Sequence, residues 1–395
     1  MAFDCFILKV ASRCNLNCTY CYMYNMGDST WRTKPRGMSD AVVEATAHKI
    51  RSHALRHGLS YVHVTLHGGE PLLLGIERLQ FIVDTLRAAL EPHAIGLGLT
   101  MQTNGTLLNR AWGEFFMNNR ISVGISMDGP RPVHDAARVD HAGRGSYDRV
   151  IQGVTEARAG MGVPNALGSV LCVIDLTADP VALFEHFVEL GLRNIDFLLP
   201  DAHYESMPPH KASFEEAPYG RWLTTLFDAW FQRNDPSITI RLFEQLIRLI
   251  LGMDSPLDSV GGGPVSIAVI ETDGELEPLD VFKTIGHGLT RTGLNVQTHE
   301  IDALARNRLV QRMLAGRDGL CQTCQRCQHR TTCGGGYLPH RYSGGFDNPS
   351  VYCADLALLI AHIQQRVRVI TENRLNLKGH EHESHEHDTT LERAV

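Results

Sequence analysis

Short runs of aliphatic and β-branched residues alternate along this chain with longer stretches whose apolar positions recur every three or four residues. The first two hundred residues hold the runs CFILKV, VHVTLHG, LGLTMQT, ISVGISM, GSVLCVI and IDFLLP. Between them lie amphipathic patterns such as DAVVEATAHKIRSHALRHG and GIERLQFIVDTLRAALEPH. Brief apolar runs bounded by turn residues read as buried strands, and the three-and-four spacing reads as one face of a helix. Strand–helix–strand repetition predicts an α/β fold with a parallel sheet and crossover helices. Six such units predict a partial (β/α)6 barrel, TIM-like but not closed at eight.

Beyond the sixth run the rhythm changes. The stretches APYGRWLTTLFDAWFQR and RLFEQLIRLILGM predict two further helices, and Asp273-Gly274 predicts a hairpin turn. A cysteine-rich segment follows, then the helical pattern DLALLIAHIQQRVRVITENRL. These shifts divide the chain into a core at 1–225, bridging helices and a hairpin at 226–300, and a cysteine-rich extension at 301–375. A polar, histidine-rich tail at 376–395 is expected to be disordered.

In parallel α/β architectures the chemistry gathers at the C-terminal ends of the strands. The unusual residues fall there. The segment RCNLNCTYCY follows the first strand, HGGEP the second, QTNG the third, SMDGP the fourth and PDAHYES the sixth. One mouth should receive all of them.

Charge and composition narrow the function. The 395 residues carry a net charge of −7 with no basic block, which argues against nucleic-acid binding and against a polybasic membrane anchor. No run reaches the roughly 18 apolar residues of a membrane span. The N-terminus carries Asp4 where an export signal would be positive, so a cytoplasmic location is expected. Of ten cysteines, three lie at 14–21 and five at 321–353. Two tight clusters in such a chain point to metal or redox sites rather than disulfides. Cys5 and Cys172 stand alone in apolar runs and read as small buried hydrophobes.

Cys14, Cys18 and Cys21 are soft thiolate donors with no fourth protein ligand nearby. On a cubane iron–sulfur cluster three ligands leave one iron open to a substrate or cofactor. The Cys-x3-Cys-x2-Cys spacing, followed in order by GGEP, QTNG and SMDGP, resembles the radical S-adenosylmethionine (SAM) superfamily. That resemblance implies a [4Fe-4S] cluster on the three cysteines, with SAM bound to its open iron. It further implies that Gly68, Gly69 and Glu70 meet the methionyl ammonium and that Tyr20 borders the adenine. Ser126 and Arg138 would hold the ribose and the carboxylate, Asn104 would line the pocket, and Leu198, with Leu199, would pack on the adenine. An external electron donor of flavodoxin or ferredoxin type is implied too.

The second cluster, CQTCQRCQHRTTCGGGYLPHRYSGGFDNPSVYC, resembles the SPASM extension of radical SAM enzymes that modify peptides. Cys324, Cys327, Cys333 and Cys353 match the ligands of that extension's distal auxiliary [4Fe-4S] cluster. Tyr337 and Leu279 stand where cysteines of the nearer one are expected. The resemblance therefore implies two clusters rather than three, with Cys321 spare. A structural zinc site is the alternative for these cysteines.

The segments CGGGYLPHRYSGGFDNPSVYCADL and DFLLPDAHYESMP resemble the maturases of ribosomally synthesised precursor peptides that form three-residue cyclophanes (the Fxs, Xye and Grr type). The resemblance implies a precursor peptide as partner and an aromatic ring bonded to a neighbouring Cβ as product. Asp280, Asp201 and His340 are candidates for the base, with Asp280 first and His203 behind them; His340 and Arg341 are also candidates to grip the substrate. Two other readings are an enzyme of sulfatase-maturing type, which oxidises a cysteine or serine of a protein, and a non-catalytic iron–sulfur electron carrier.

Overall fold

Nine strands form one sheet in this computed structural model, which describes residues 2–163, 167 and 169–369. The six expected strands are β1 (Cys5–Ala11), β2 (Tyr61–Gly68), β3 (Gly96–Thr103), β4 (Ile121–Ser126), β5 (Ser169–Val173) and β6 (Asn194–Leu198). They pair in parallel and in chain order. Three strands extend this row: β7 (Thr239–Ile240) beyond β6, and β8 (Ile267–Ile270) with β9 (Leu276–Glu277) on the far side of β1. The full order, β7-β6-β5-β4-β3-β2-β1-β8-β9, leaves the sheet open, as the partial barrel requires.

The strands look uniformly apolar in sequence but are two-faced in the fold. Phe6, Leu8, Val64, Leu66, Val123 and Val170 are buried against the surrounding helices. The alternate positions turn inward, where Thr65, Thr100, Gln102, Ser122, Ser169 and Asn194 line a cavity of about 520 Å³. Because side chains alternate across a strand, one register carries both the core and the lumen wall. The crossover helices start and stop where sequence chemistry places them. Ser39 accepts the Val42 N–H at the head of Asp40–His57, and Gly58 closes that helix at φ 64°.

The hairpin predicted at Asp273-Gly274 is present as β8 and β9, with Gly274 at φ 83°. The cysteine-rich extension packs onto the barrel through buried polar groups. Lys211 pairs with Asp355, which also accepts the Gly220 N–H at 2.9 Å, and the Tyr352 hydroxyl donates to the Pro200 carbonyl at 2.8 Å. The last helix spans 353–369 among the described residues. The tail expected at 376–395 lies outside them. No helix among the described residues is long and apolar enough to cross a membrane.

Candidate active site

The loop after β1 is held in place from several directions. The Asn17 and Thr19 amides donate to the carbonyls of Val139 and Ala137, and the Cys21 amide donates to Cys18. Cys14 Sγ accepts the Leu16 N–H at 3.4 Å and the Asn104 side chain at 3.6 Å. Burial pushes the free thiols of Cys14 and Cys21 up, to about 12 and about 11, so binding a cation there must displace protons.

The loop after β2 threads against this one. The Gly69 and Glu70 amides donate to Ala11 and Arg13 carbonyls at 2.7 and 2.9 Å. A Cβ on Gly68, which has φ 145°, would lie 2.0 Å from the Ala11 oxygen; one on Gly69 would lie 2.2 Å from the Arg13 oxygen. Only glycine lets the two loops meet. Gly69→Ala should therefore cost about 1–3 kcal/mol of stability by urea unfolding and displace the cysteine loop.

Glu70 is engaged by the protein's own donors. Its carboxylate accepts the Leu72 N–H at 3.0 Å, the Thr103 hydroxyl at 2.8 Å and the Asn104 N–H at 2.8 Å. It is fully buried and works as a staple between the loops after β2 and β3. Arg138 is engaged in a similar way. It donates to the Tyr20 hydroxyl at 2.6 Å, and that hydroxyl donates onward to buried Asp128. Ser126 Oγ accepts from Gln102 at 2.7 Å.

Across the mouth lies a cavity of about 420 Å³ lined by Tyr20, Leu198, Leu199, Asp201, Asp280 and His340, among others. The fold thus brings together the three candidate bases with the three expected adenine neighbours. Their environments separate them. Asp280 pairs with Lys9 and accepts the Tyr22 hydroxyl at 2.6 Å. Burial works to raise its carboxyl, but Lys9, His67 and these bonds win and hold it below the ordinary carboxylate range. Such a carboxylate stays ionised, held by its partners, whereas the other two candidates are held differently. Asp201 has no cation partner among the described residues; burial and then the neighbouring Asp280 push it up to about 7. His340 is driven down to about 3, chiefly by burial, so it is neutral near pH 7. Arg341 is not part of the cavity lining; it donates to the carbonyls of Gly334, Gly335 and Gly336. His203 does not line the cavity; its Nδ1 accepts the Glu205 N–H at 3.2 Å.

Sequence reading missed Lys9, His67 and Tyr22. Lys9 Nζ sits 2.9 Å from His67 Nδ1 and 3.2 Å from the Tyr22 hydroxyl. Lys9 is the single charge in the strand CFILKVA, and a lone cation in an apolar strand was the available signal. Removing one partner of a buried pair strands the other charge. Lys9→Met should cost about 3–5 kcal/mol of unfolding free energy at pH 7, measured by chemical denaturation.

The distal cysteines surround a small cavity of about 50 Å³ lined by Cys324, Cys327, Cys333 and Cys353. Tetrahedral zinc with bonds of about 2.3 Å needs sulfurs about 3.8 Å apart. Among the described residues no three cysteine sulfurs lie within 4.8 Å of one another. That spread suits ligands wrapped around a polynuclear cluster better than a single ion. The same holds for Cys14, Cys18 and Cys21. Cys321 is not part of that lining but its side chain bonds to Cys324, and Cys172 is fully buried as expected. His53, His57 and Asp302 do converge within 4.8 Å. However, His53 Nε2 accepts the Phe3 N–H at 3.0 Å, which leaves its proton on Nδ1, facing Asp302. That trio is a hydrogen-bonded cluster rather than a metal site.

Comparison with known proteins bears on the chemistry. Residues 8–187 match the radical SAM superfamily. The cysteine-type anaerobic sulfatase-maturating enzyme of Clostridium perfringens (strain 13 / Type A) is 27% identical over 336 residues, covering 84% of this chain and 87% of that protein. The serine-type anaerobic sulfatase-maturating enzyme of Bacteroides thetaiotaomicron is 27% identical over 292 residues, 70% of this chain and 69% of that one. The solved structure of native anSMEcpe with bound AdoMet and Cp18Cys peptide superposes with a TM-score of 0.77 at 23% identity, over 93% of this chain and 98% of that one.

These relatives overturn the cyclophane expectation. Curated proteins similar over most of the chain include sulfatase-maturating enzymes of both the cysteine and the serine type. Residues 8–187 match the radical SAM superfamily, and over most of its length the chain is similar to anaerobic sulfatase-maturating enzymes.

Proposed function

We propose that this enzyme oxidises a cysteine or serine side chain of a peptide or protein substrate at its Cβ. The observation that carries the reading is the cavity beside the cysteine loop, which places Asp201, a carboxyl poised near neutrality, opposite the residues expected around SAM. Support comes from the extent of similarity to sulfatase-maturating enzymes and from the solved relative that holds AdoMet and a peptide together.

Cys14, Cys18 and Cys21 would hold a [4Fe-4S] cluster, and Cys324, Cys327, Cys333 and Cys353 an auxiliary one. When bound, the first cluster and SAM supply a 5′-deoxyadenosyl radical that takes hydrogen from carbon. The chain's own residues do the rest. Gly68-Gly69 backbone and Ser126 would hold the cofactor, while Glu70 and Asn104 fix the loops that would surround it. The Tyr20–Arg138–Asp128 chain sets the wall on which Tyr20 borders the adenine, and Leu198 completes the apolar side. Asp201 takes the proton that the substrate loses as its carbon centre becomes a carbonyl or thiocarbonyl. An auxiliary cluster on the distal cysteines would take up the electron released in that step, and an external donor of flavodoxin or ferredoxin type would supply the electron that starts each cycle.

The test is anaerobic reconstitution followed by incubation with SAM, dithionite and serine- or cysteine-containing peptides. The expected product from serine has lost two hydrogens, with 5′-deoxyadenosine formed alongside it. Unchanged peptide mass with all partners present would refute the reading. Cys353→Ala should lower the iron and sulfide content of the purified protein, while zinc content stays near zero in both forms.

A further inference from the structure

The extension carries one cysteine more than its distal cavity uses. Cys321 is half-buried, stands outside the lining formed by Cys324, Cys327, Cys333 and Cys353, and bonds through its side chain to Cys324. Cys333 acts on Cys324 through charge, whereas Cys321 is hydrogen-bonded to it. A thiol placed against an expected cluster ligand, and outside the ligand set itself, has a chemistry of its own.

Local backbone sets this contact. The sequence CQTC puts the two cysteines three residues apart. Cys321 is the N-cap of the short helix Gln322–Gln325, and its carbonyl accepts the Gln325 N–H at 2.9 Å. That bond closes one helical turn, in which residues three apart stand about 5–6 Å from one another. A disulfide spans Cα atoms about 4.4–6.8 Å apart, so this pair can be bridged without moving the backbone. Exposure sets the order of events. Cys324 is buried at 8% exposure and Cys321 is half-exposed, so an incoming disulfide meets Cys321 first.

We propose that Cys321 and Cys324 are a reversible disulfide site, closed by exchange with a small disulfide when the distal cysteines hold no cluster, and that the bridge withholds Cys324 from the cluster until a dithiol opens it. The Cys321 sulfur attacks the small disulfide and displaces one thiol, leaving a mixed disulfide. The Cys324 sulfur, already in contact, attacks that bond and displaces the second thiol. Two protein thiols thus give up two electrons and two protons, and the small disulfide leaves as two thiols. A disulfide is reversible where a sulfinic acid is not, so the bridge also shields a ligand from permanent oxidation. The withholding step rests on the assignment of Cys324 to the auxiliary cluster made in the peptide-oxidising reading; the bridge itself does not.

The test uses the full-length apoprotein, incubated without oxygen with oxidised glutathione, then alkylated and digested with trypsin. Cleavage after Arg317 and Arg326 releases residues 318–326, which contain Cys321 and Cys324 and no other cysteine. That peptide should be two hydrogens lighter than its reduced form and carry no alkyl label. Two alkylated thiols, or glutathione retained on Cys321, would overturn the proposal. The bridged protein, freed of glutathione and given ferrous iron with limiting sulfide, should take up about half the iron of the reduced protein, that of the first site alone. Dithiothreitol should restore the rest. Cys321→Ser, treated with glutathione in the same way, should take up as much iron as when reduced. Equal uptake by bridged and reduced native protein, or the same deficit in Cys321→Ser, would also overturn it. Failure of the peptide-oxidising reading looks different: no substrate peptide would be oxidised, while the mapped bridge and the iron uptake followed the expected pattern.

Discussion

A Cys14→Ala, Cys18→Ala, Cys21→Ala variant should form no 5′-deoxyadenosine under dithionite, a complete loss of turnover. The physical reason is coordination. The loop offers three sulfurs and no fourth protein ligand, so each accounts for a third of the protein's hold on the cluster. The loop's frame does not depend on the thiols: it is secured by amides bonded to Val139, Ala137 and Cys18 carbonyls. The variant should therefore unfold at a denaturant concentration close to that of the native apoprotein, while its iron content falls to that of the distal site alone. Iron analysis together with 5′-deoxyadenosine measurement checks both parts. Full retention of iron would place the cluster elsewhere.

Asp201→Asn is expected to lower peptide oxidation by about 10²–10⁴-fold, the usual contribution of a positioned base. Because the proton leaves after hydrogen abstraction, 5′-deoxyadenosine should still form, now uncoupled from product. The pH profile carries the same signature. With its carboxyl pushed up to about 7, Asp201 gains base character as pH rises through neutrality, so native product formation should climb there. The variant should lose that limb. Stability runs in the opposite direction. A carboxyl raised on folding supports the native state below its unfolded value near 3.9 and loses that support as pH rises through about 7. Asp201→Asn should thus be at least as stable as the native protein above pH 7. A variant that fails to fold there would mean that Asp201 is structural. Asp280→Asn, by contrast, leaves Lys9 buried without its counter-ion and should show its main effect in unfolding.

The two carboxylates show why a base is hard to choose from sequence. Sequence favours Asp280 because its hairpin should face the mouth, and it does line the cavity. What sequence cannot weigh is the partner. Lys9 lies more than two hundred residues earlier on β1, and it fixes Asp280 as an ion-pair member rather than a free base. The motif around Glu70 suggests an acceptor for an ammonium, yet the fold supplies three protein donors to it first. Arg341 looks free to grip a substrate in sequence, whereas its guanidinium is bonded to three successive glycine carbonyls.

By itself the sequence determined the strand–helix rhythm, the parallel barrel, the five loops at one mouth and the two cysteine groups. These follow from local periodicity and spacing, which a chain carries wherever it folds. Tertiary structure alone decided which face of each strand lines the lumen, which carboxylate is paired and which is poised, and how far apart the distal sulfurs stand. A proton affinity depends on burial and on charges brought within a few ångströms, and those neighbours come from β1, the β6 loop and the hairpin, remote in sequence and joined only when the sheet closes around them.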